Sequence, residues 1–194
     1  MCEEARMELV TERLVLRELE ESDAEAAHEY ERDEDVVRYQ TDGVRTLDES
    51  RAYIARVRAE TALQAPRLLF DLAITLRRNE QYVGRVGLNV TSLSLREATL
   101  WYVLNPRFHG QGLVPEAARA LVDHGFRELD LHRLYVDCDP RNTASIRVAE
   151  KLGLRREAHF VENALIKGEW CDSVIYAMLD REWRARAPAL KGNR

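Results

Sequence analysis

The chain has 194 residues, a formal net charge of −5, 45% hydrophobic residues and 32% charged residues, which fits one globular domain. The acidic balance disfavours a general nucleic-acid binder, and no apolar run approaches the ~20 residues that span a bilayer. The polar residues 1–6 do not form a secretory signal, and three cysteines without C-x-x-C spacing favour free thiols in a reducing compartment (Cys2, Cys138 and Cys171). We therefore expect a cytoplasmic protein without a membrane or nucleic-acid partner.

Hydrophobic periodicity and turn residues predict the elements in chain order. They are a strand at 13–17, a helix at 22–32 capped by Ser22, a helix from about 47 that ends at Ala65-Pro66, strands at 68–76 and 82–90 around a turn at 78–80, a strand at 100–104, a helix from Val114 to about 129, a strand at 133–139, a helix at 142–152 that ends at Gly153, and two strands at about 155–166 and 170–179 around a Lys167-Gly168 turn. This order predicts an α/β fold with a mixed sheet in one layered domain.

The most informative segment is the loop at 104–113, between a predicted strand and a predicted helix. Gly110 and Gly112 allow a tight turn and a close approach of the backbone to a ligand. The helix that follows offers unpaired N–H groups and a positive dipole end, which together favour phosphate. A Walker loop is excluded because no Lys-Ser or Lys-Thr follows the glycines, and Gly110-Gln111-Gly112 supplies only half of a dinucleotide fingerprint. A glycine-containing connection without a ligand is the alternative for this loop taken alone.

Two motifs together resemble one family. Arg107-x-x-Gly110-x-Gly112 matches the [Q/R]-x-x-G-x-[G/A] acyl-CoA signature of the GNAT superfamily, and residues 140–154 are similar to the N-x-x-S helix of its ribosomal-protein amino-terminal (alanine/serine) acetyltransferase branch. The resemblance implies a domain at 8–183 between an N-terminal extension (1–7) and a C-terminal tail (184–194). It also implies a mixed, mostly antiparallel sheet of about seven strands, flanked by helices, with a splayed parallel strand pair.

By the same resemblance, the enzyme moves the acetyl group from acetyl-CoA, its co-substrate, directly to a primary amine without a metal. The residues implied in CoA binding are the backbones of Val103 and Leu104 for pantetheine, the N–H groups of His109, Gly110, Gln111, Gly112 and Leu113 for pyrophosphate, the Arg107 side chain for phosphate, and Asn142 for pantetheine. Ser145 is implied near the sulfur as the proton donor to the leaving thiolate.

Simpler roles stay open for four of these side chains. Asn142 also fits an N-cap, and the Ser145 hydroxyl also fits a local bond in a first helical turn. Arg107 also fits a solvated loop charge, and Cys138 fits a buried, inert thiol better than a nucleophile.

The general base is the least defined part of the predicted site. Ala164 and Thr99 occupy the two positions where relatives in this branch often carry an acidic residue. Glu162 and Glu97 each lie two residues earlier, where strand alternation predicts the same face. Glu162 is our candidate base, although either carboxylate also fits a solvated strand edge.

The absence of the usual carboxylates bears on the acceptor. A lysine amine, with a pKa of ~10.4, must lose a proton before attack, whereas an α-amine, at ~7.7–8.0, already has a sizeable neutral fraction. We therefore expect a protein N-terminal α-amine or a small-molecule amine of low basicity, bound by the early helices, the loop at 40–46 and the closing hairpin.

Other readings remain open at the sequence level. One is a catalytically impaired acyl-CoA-binding sensor or partner module of the same fold, and another is a nucleotide-binding α/β domain. The resemblance is compatible with a homodimer, and the sequence leaves the acyl chain open.

Overall fold

Eight strands form one mixed sheet in the computed structural model, which describes residues 7–63 and 66–186. The strands are β1 (Glu8–Val10), β2 (Leu14–Glu18), β3 (Leu69–Leu76), β4 (Tyr82–Ser92), β5 (Glu97–Leu104), β6 (Arg133–Cys138), β7 (Arg155–Ile166) and β8 (Glu169–Leu179), in the order β1-β2-β3-β4-β5-β6-β8-β7. The predicted α/β sheet is confirmed, with one strand more than expected because the three-residue β1 adds an edge to β2.

The helices are α1 (Asp23–Glu31), α2 (Glu34–Val37), α3 (Leu47–Leu63), α4 (Leu113–Arg127), α5 (Thr143–Leu152) and α6 (Asp180–Arg186), with a 3₁₀ turn at Pro106–Phe108. The predicted cap of α1 is wrong, because the Ser22 side chain makes no capping bond. Asp23 instead accepts from the backbone N–H of Glu20 and pairs with Arg17. None of these helices is long and apolar enough to cross a membrane.

Some predictions fall on residues outside the described ranges. These are Ala65, at the predicted end of α3, Cys2, and most of the predicted extension and tail, namely residues 1–6 and 187–194.

The sheet has a different helical layer on each face. On one face, α4 and α5 bury their apolar residues against alternate side chains of the strands, and Leu121, Leu134 and Val136 lie at the centre of this core. On the other face, α1 and α3 pack over β3 and β4 through a smaller core. We call these the α4/α5 face and the α1/α3 face.

The sheet opens between β5 and β6. These strands run parallel and pair only at Glu97↔Arg133, Ala98↔Leu134 and Thr99↔Tyr135. Beyond those pairs, residues 100–104 continue along β4, while residues 136–138 stay with β8. We call the gap between these two segments the splay, and it confirms the predicted splayed parallel pair.

Candidate active site

The glycine loop lies at the N-terminus of α4 with the geometry that its glycines allow. Gly110 and Gly112 have φ values of 75° and 74°, which few other residues adopt readily. A Cβ at Gly110 would meet no atom within 4 Å, and one at Gly112 would meet only Arg13 Nη2, at 3.7 Å. The space beside both glycines is therefore open at the N-terminus of α4, whose first N–H groups favour an anionic group.

His109 takes a different part in this loop from the one expected. Its backbone N–H donates to the Pro106 carbonyl (3.0 Å), so this donor is already used within the 3₁₀ turn. Its ring Nε2 donates to the Leu104 carbonyl (3.1 Å). His109 thus fastens the loop to the end of β5, and the prediction that its N–H binds pyrophosphate is not supported.

Two arginines near the loop also differ from expectation. The side chain of Arg107, 74% exposed, pairs with Glu29 of α1 (Nη1–Oε1 2.6 Å) and not with the N-terminus of α4. Arg13, which the sequence reasoning missed, donates to the carbonyls of Gln111 (2.9 Å) and Gly112 (3.3 Å). Arg13 therefore supports the loop from the β1–β2 turn by binding two of the carbonyl oxygens of the loop. No short-range pattern indicates this contact.

A hydroxyl pair bridges the splay. The phenol of Tyr102, on β5, lies 2.9 Å from Ser145 Oγ and donates to the Ser145 carbonyl at 3.0 Å. Ser145 is 8% exposed, and its position is set by Asn142, whose Oδ1 accepts from the Ser145 N–H (3.1 Å). The predicted N-cap at Asn142 is confirmed. Burial raises the pKa of Tyr102 well above its usual value, so its proton stays on the oxygen at neutral pH.

Tyr102 is a site residue that the sequence reasoning missed. Strand alternation carried a usable signal, because Leu100 and Leu104 point to the α4/α5 face and Tyr102 shares their parity.

The end of β5 presents alternate backbone groups to the splay. The N–H of Asn105 donates to the Val83 carbonyl, so Asn105 and, by alternation, Val103 direct their backbone groups toward β4. Tyr102 and Leu104 then direct theirs into the splay. The backbone role expected of Val103 therefore passes to Tyr102, whereas Leu104 keeps its expected orientation.

Cys138 ends β6 beside Ser145. Burial raises the pKa of its thiol, and the neighbouring Ser145 opposes that shift only in part. A raised pKa keeps the sulfur protonated at neutral pH, in keeping with an inert thiol rather than a nucleophile. Cys138 and Cys171 are both free thiols.

Of the two candidate bases, Glu97 shares the face of Thr99 as alternation predicts, whereas Glu162 leaves the position predicted for it. The pairing of β7 with β8 shifts between Phe160 and Ala164, and Glu162 lies in this bulge with φ at 47°. Its side chain is exposed, and its N–H donates to the Asp172 carboxylate (2.9 Å). The alternation that placed Glu162 on the same face as Ala164 is therefore interrupted.

Glu97 is engaged elsewhere, since it pairs with Arg133 (2.9 Å) at the closed end of the β5–β6 pair.

The α1/α3 face of the splay is bordered by two of the elements expected to hold the acceptor. Lys167, in the β7–β8 turn, donates to the Val37 carbonyl at the end of α2 (2.6 Å). A polar hollow lies at this junction and is lined by Arg38, Tyr39, Asp139, Arg141, Ile166, Lys167, Glu169 and Cys171. A wider hollow lies along the loop at 42–45 and the start of α3. The expected acceptor surfaces thus lie next to two open spaces.

A buried charge cluster supports this face. Arg85, 5% exposed, donates to Asp71 (Nη1–Oδ2 2.9 Å) and contacts Glu31, while Tyr53 donates to Asp71 (2.7 Å). The Arg85 guanidinium also lies 5.5 Å from the ring centroid of Trp101, on β5. The cluster therefore joins α1 and α3 to the strand that forms one side of the splay.

This combination of a splayed parallel pair with an open glycine loop at a helix N-terminus defines an acyl-CoA-dependent transferase. Comparison with known proteins agrees: the acetyltransferase (GNAT) domain family matches residues 13–155, and the chain belongs to this family. It is an acetyl-CoA-dependent N-acetyltransferase.

Three relatives illustrate the match. The chain is 34% identical over 180 residues to the uncharacterized N-acetyltransferase YnaD of Bacillus subtilis, which covers 91% of this chain and 99% of the relative. The crystal structure of a GNAT-family acetyltransferase from Bacillus anthracis is similar with a TM-score of 0.80 and 33% identity, over 91% of this chain and 100% of that chain. The ribosomal-protein-S5-alanine acetyltransferase of Vibrio fischeri has a TM-score of 0.79 at 20% identity, over 91% and 98% of the two chains, and this likeness concerns the fold alone.

Proposed function

We propose that this enzyme acetylates primary amines of low basicity, with protein N-terminal α-amines as the favoured class and small-molecule amines as the second. The observation that carries the proposal is the splay itself. Its α4/α5 face carries a donor pair at Ser145 and Tyr102, and its α1/α3 face opens to solvent beside two hollows. An acyl donor and an acceptor can therefore approach one point from opposite faces of the sheet.

The residues present fit acetyl-CoA at three places. The N–H groups of Gly110, Gln111, Gly112 and Leu113 suit the pyrophosphate, because they lie at the N-terminus of α4 and the space beside both glycines is open. The backbone groups of Tyr102 and the N–H of Leu104 that point into the splay suit the amides of the pantetheine, while the Leu104 carbonyl already accepts from the His109 ring. Asn142 uses Oδ1 for its cap and retains its amide N–H₂ for the same arm.

Acetyl-CoA supplies an activated acyl group, and the chain supplies orientation and proton donors. The hydroxyl of Ser145 suits protonation of the leaving thiolate, because it lies beside the splay and hydrogen-bonds to the Tyr102 phenol. The two hydroxyls can pass a proton from one to the other without either oxygen losing its partner.

The preference for weakly basic amines follows from their larger neutral fraction. At pH 7 roughly 10% of an α-amine with a pKa near 8 is neutral, against roughly 0.04% of a lysine amine. Glu97 is bound to Arg133, and Asp139 is bound to Arg141, whose guanidinium holds the pKa of that carboxyl below its ordinary value. Neither carboxylate is suited to removing a proton from a strongly basic ammonium group.

The experiment uses the full chain, acetyl-CoA and three acceptors at equal concentration. These are a lysine-free peptide with a free N-terminus, the same peptide with a blocked N-terminus and one lysine, and spermidine. We expect the α-amine peptide to release CoA fastest at pH 7, with one acetyl group on its N-terminus by mass spectrometry. Faster acetylation of the lysine peptide or of spermidine would overturn the proposed preference.

A further inference from the structure

The splay has one acidic side chain, at Asp137. The segments that border the gap are Leu100-Trp101-Tyr102-Val103-Leu104 on β5 and Val136-Asp137-Cys138 on β6. Val136 and Cys138 belong to the α4/α5 core, so Asp137 points to the opposite, α1/α3 face. A carboxylate thus stands on the face that is open to an acceptor, at the level where the two strands have separated.

The register places Asp137 between β5 and β8. Thr99 is paired with Tyr135, so Trp101 stands across the splay from Asp137 on the same face. On its other side, Asp137 is paired with Ile175 of β8. The Trp101 ring lies over Gly87 of β4 and so leaves the space across the splay from Asp137 open. An amine can therefore approach the carboxylate from the side of β5.

Ser173 adds a buried hydroxyl beside Asp137. It lies two residues before Ile175 on the same face of β8 and is 6% exposed. Its hydroxyl is close to Asp137, yet Ser173 Oγ forms no hydrogen bond of normal geometry with the described residues. A buried hydroxyl without a partner costs free energy, and an ammonium or amide group between Ser173 and Asp137 would satisfy it.

Asp137 also differs electrostatically from its neighbour Asp139. Although its surface area leaves it accessible to water, the surrounding protein raises the pKa of Asp137, and the Ser173 hydroxyl opposes this shift only in part. No guanidinium or ammonium group of the described residues holds this pKa down, whereas Arg141 lowers that of Asp139. The titratable groups next to Asp137 are Tyr135 and Asp139 on its own face and the Cys138 thiol on the other.

We propose that Asp137 receives the acceptor amine: its carboxylate binds the ammonium group on the α1/α3 face and takes one proton from it. This inference rests on the proposed function and names the base of the same site. Ser145 stands on the other face of β6, beside Cys138, so the acyl carbon and the amine nitrogen can meet within the splay.

The proton balance closes with residues already described. The ammonium group gives one proton to Asp137, and the neutral nitrogen attacks the acyl carbon. As the C–N bond forms and the C–S bond breaks, the leaving thiolate takes a proton from the Ser145 hydroxyl, which the adjacent Tyr102 can replenish. A second proton leaves the nitrogen and returns to the Ser145–Tyr102 pair, which becomes neutral again, and the third stays on the amide nitrogen. Asp137 releases its proton to water after the amide has left.

The test compares four forms of the full chain. Asp137→Asn removes the base, and Glu162→Gln removes the alternative carboxylate. Asp130→Asn is the matched control, because Asp130 is 71% exposed in the loop before β6 and has a φ of 49°, which asparagine tolerates. Amine-dependent CoA release is measured against acceptor concentration and pH, CoA affinity by calorimetry, and stability by thermal unfolding.

For Asp137→Asn we expect kcat/KM for the α-amine peptide at pH 7 to fall about 100-fold or more, with CoA affinity and the melting temperature unchanged. The loss should shrink as the pH approaches the pKa of the amine, and it should stay below about tenfold for an acceptor that is already neutral at pH 7. A purely structural role would not give this dependence on acceptor basicity. Asp130→Asn should match the wild type.

Two outcomes separate the inference from the function beneath it. If the wild type acetylates the peptide and Asp137→Asn does so within about twofold, or if Glu162→Gln alone is impaired, Asp137 is not the base and the proposed function stands. If the wild type binds CoA but forms no free CoA from acetyl-CoA with any amine, the proposed function is wrong. This inference is then wrong as well.

Discussion

Replacing Asp71 with Asn tests whether the buried charge cluster holds the acceptor face together. Asp71 is fully buried and accepts from Arg85 (2.9 Å) and Tyr53 (2.7 Å). Without its charge, Arg85 keeps Glu31 as its one carboxylate partner among the described residues. Breaking a buried pair in this way costs about 3–5 kcal/mol, because one charge is left under-compensated. For a chain of this size, that corresponds to a fall in the melting temperature of roughly 6–20 °C.

Urea unfolding followed by far-UV circular dichroism measures this loss, with an unchanged m-value as the sign that the folded state is still compact. Asp42→Asn is the control, because Asp42 pairs with Arg45 at the rim and is 62% exposed, so its loss should cost less than about 1 kcal/mol. A loss below 1 kcal/mol for Asp71→Asn would refute the reasoning. An Asp71→Leu, Arg85→Met double variant should recover part of the stability, since it removes both charges of this pair and leaves Glu31 its ion pair with Arg45.

Three further predictions follow from the site. Gly110→Ala should weaken CoA binding about 5- to 30-fold by calorimetry, because CoA binding needs the loop conformation with φ 75° and a non-glycine residue there costs ~1–2 kcal/mol; unchanged affinity would contradict the loop assignment. Tyr102→Phe should lower kcat while leaving the KM for the amine near its wild-type value, because it removes the hydrogen bond to Ser145 Oγ; steady-state kinetics showing the reverse pattern would contradict this. Asp139→Asn should destabilise the protein at pH 6, and the difference should shrink progressively as the pH falls below about 4, since Arg141 lowers the folded-state pKa of Asp139 and its stabilisation is lost as the pH falls through that lower pKa. Thermal unfolding of both forms across this range would show the difference, and a constant difference would contradict it.

Patterns within a short stretch of chain predicted the parts of this structure that local physics determines. The glycine loop before α4, the Asn142 cap of α5 and the closing hairpin depend on residues only a few positions apart. Contacts made across the fold escaped prediction, because no local pattern encodes them. Arg13 meets Gln111 across 98 positions, and Arg107 turns to Glu29 on another layer.

The base shows a different limit of sequence reasoning. Alternation assumes one residue per step along a strand, and the bulge between Phe160 and Ala164 breaks that assumption for Glu162. Asp137 satisfies the assumption but lies on β6, and the family resemblance indicates no base on that strand. The strand register is needed to place it at the splay, because the pairing of β5 with β6 ends at Thr99 and Tyr135.

The shortness of the β5–β6 pairing has a thermodynamic consequence. Only three register pairs join the five strands on one side of the splay to the three on the other, although α4 links them in sequence. A ligand arm that bonds to both edges would therefore act as a substitute for the missing part of the ladder. We expect the bound substrate to join the two halves of the sheet as well as to react there. CoA at 100 times its dissociation constant should raise the apparent free energy of unfolding by about 2.7 kcal/mol. The same ligand should slow hydrogen exchange most along the two free edges.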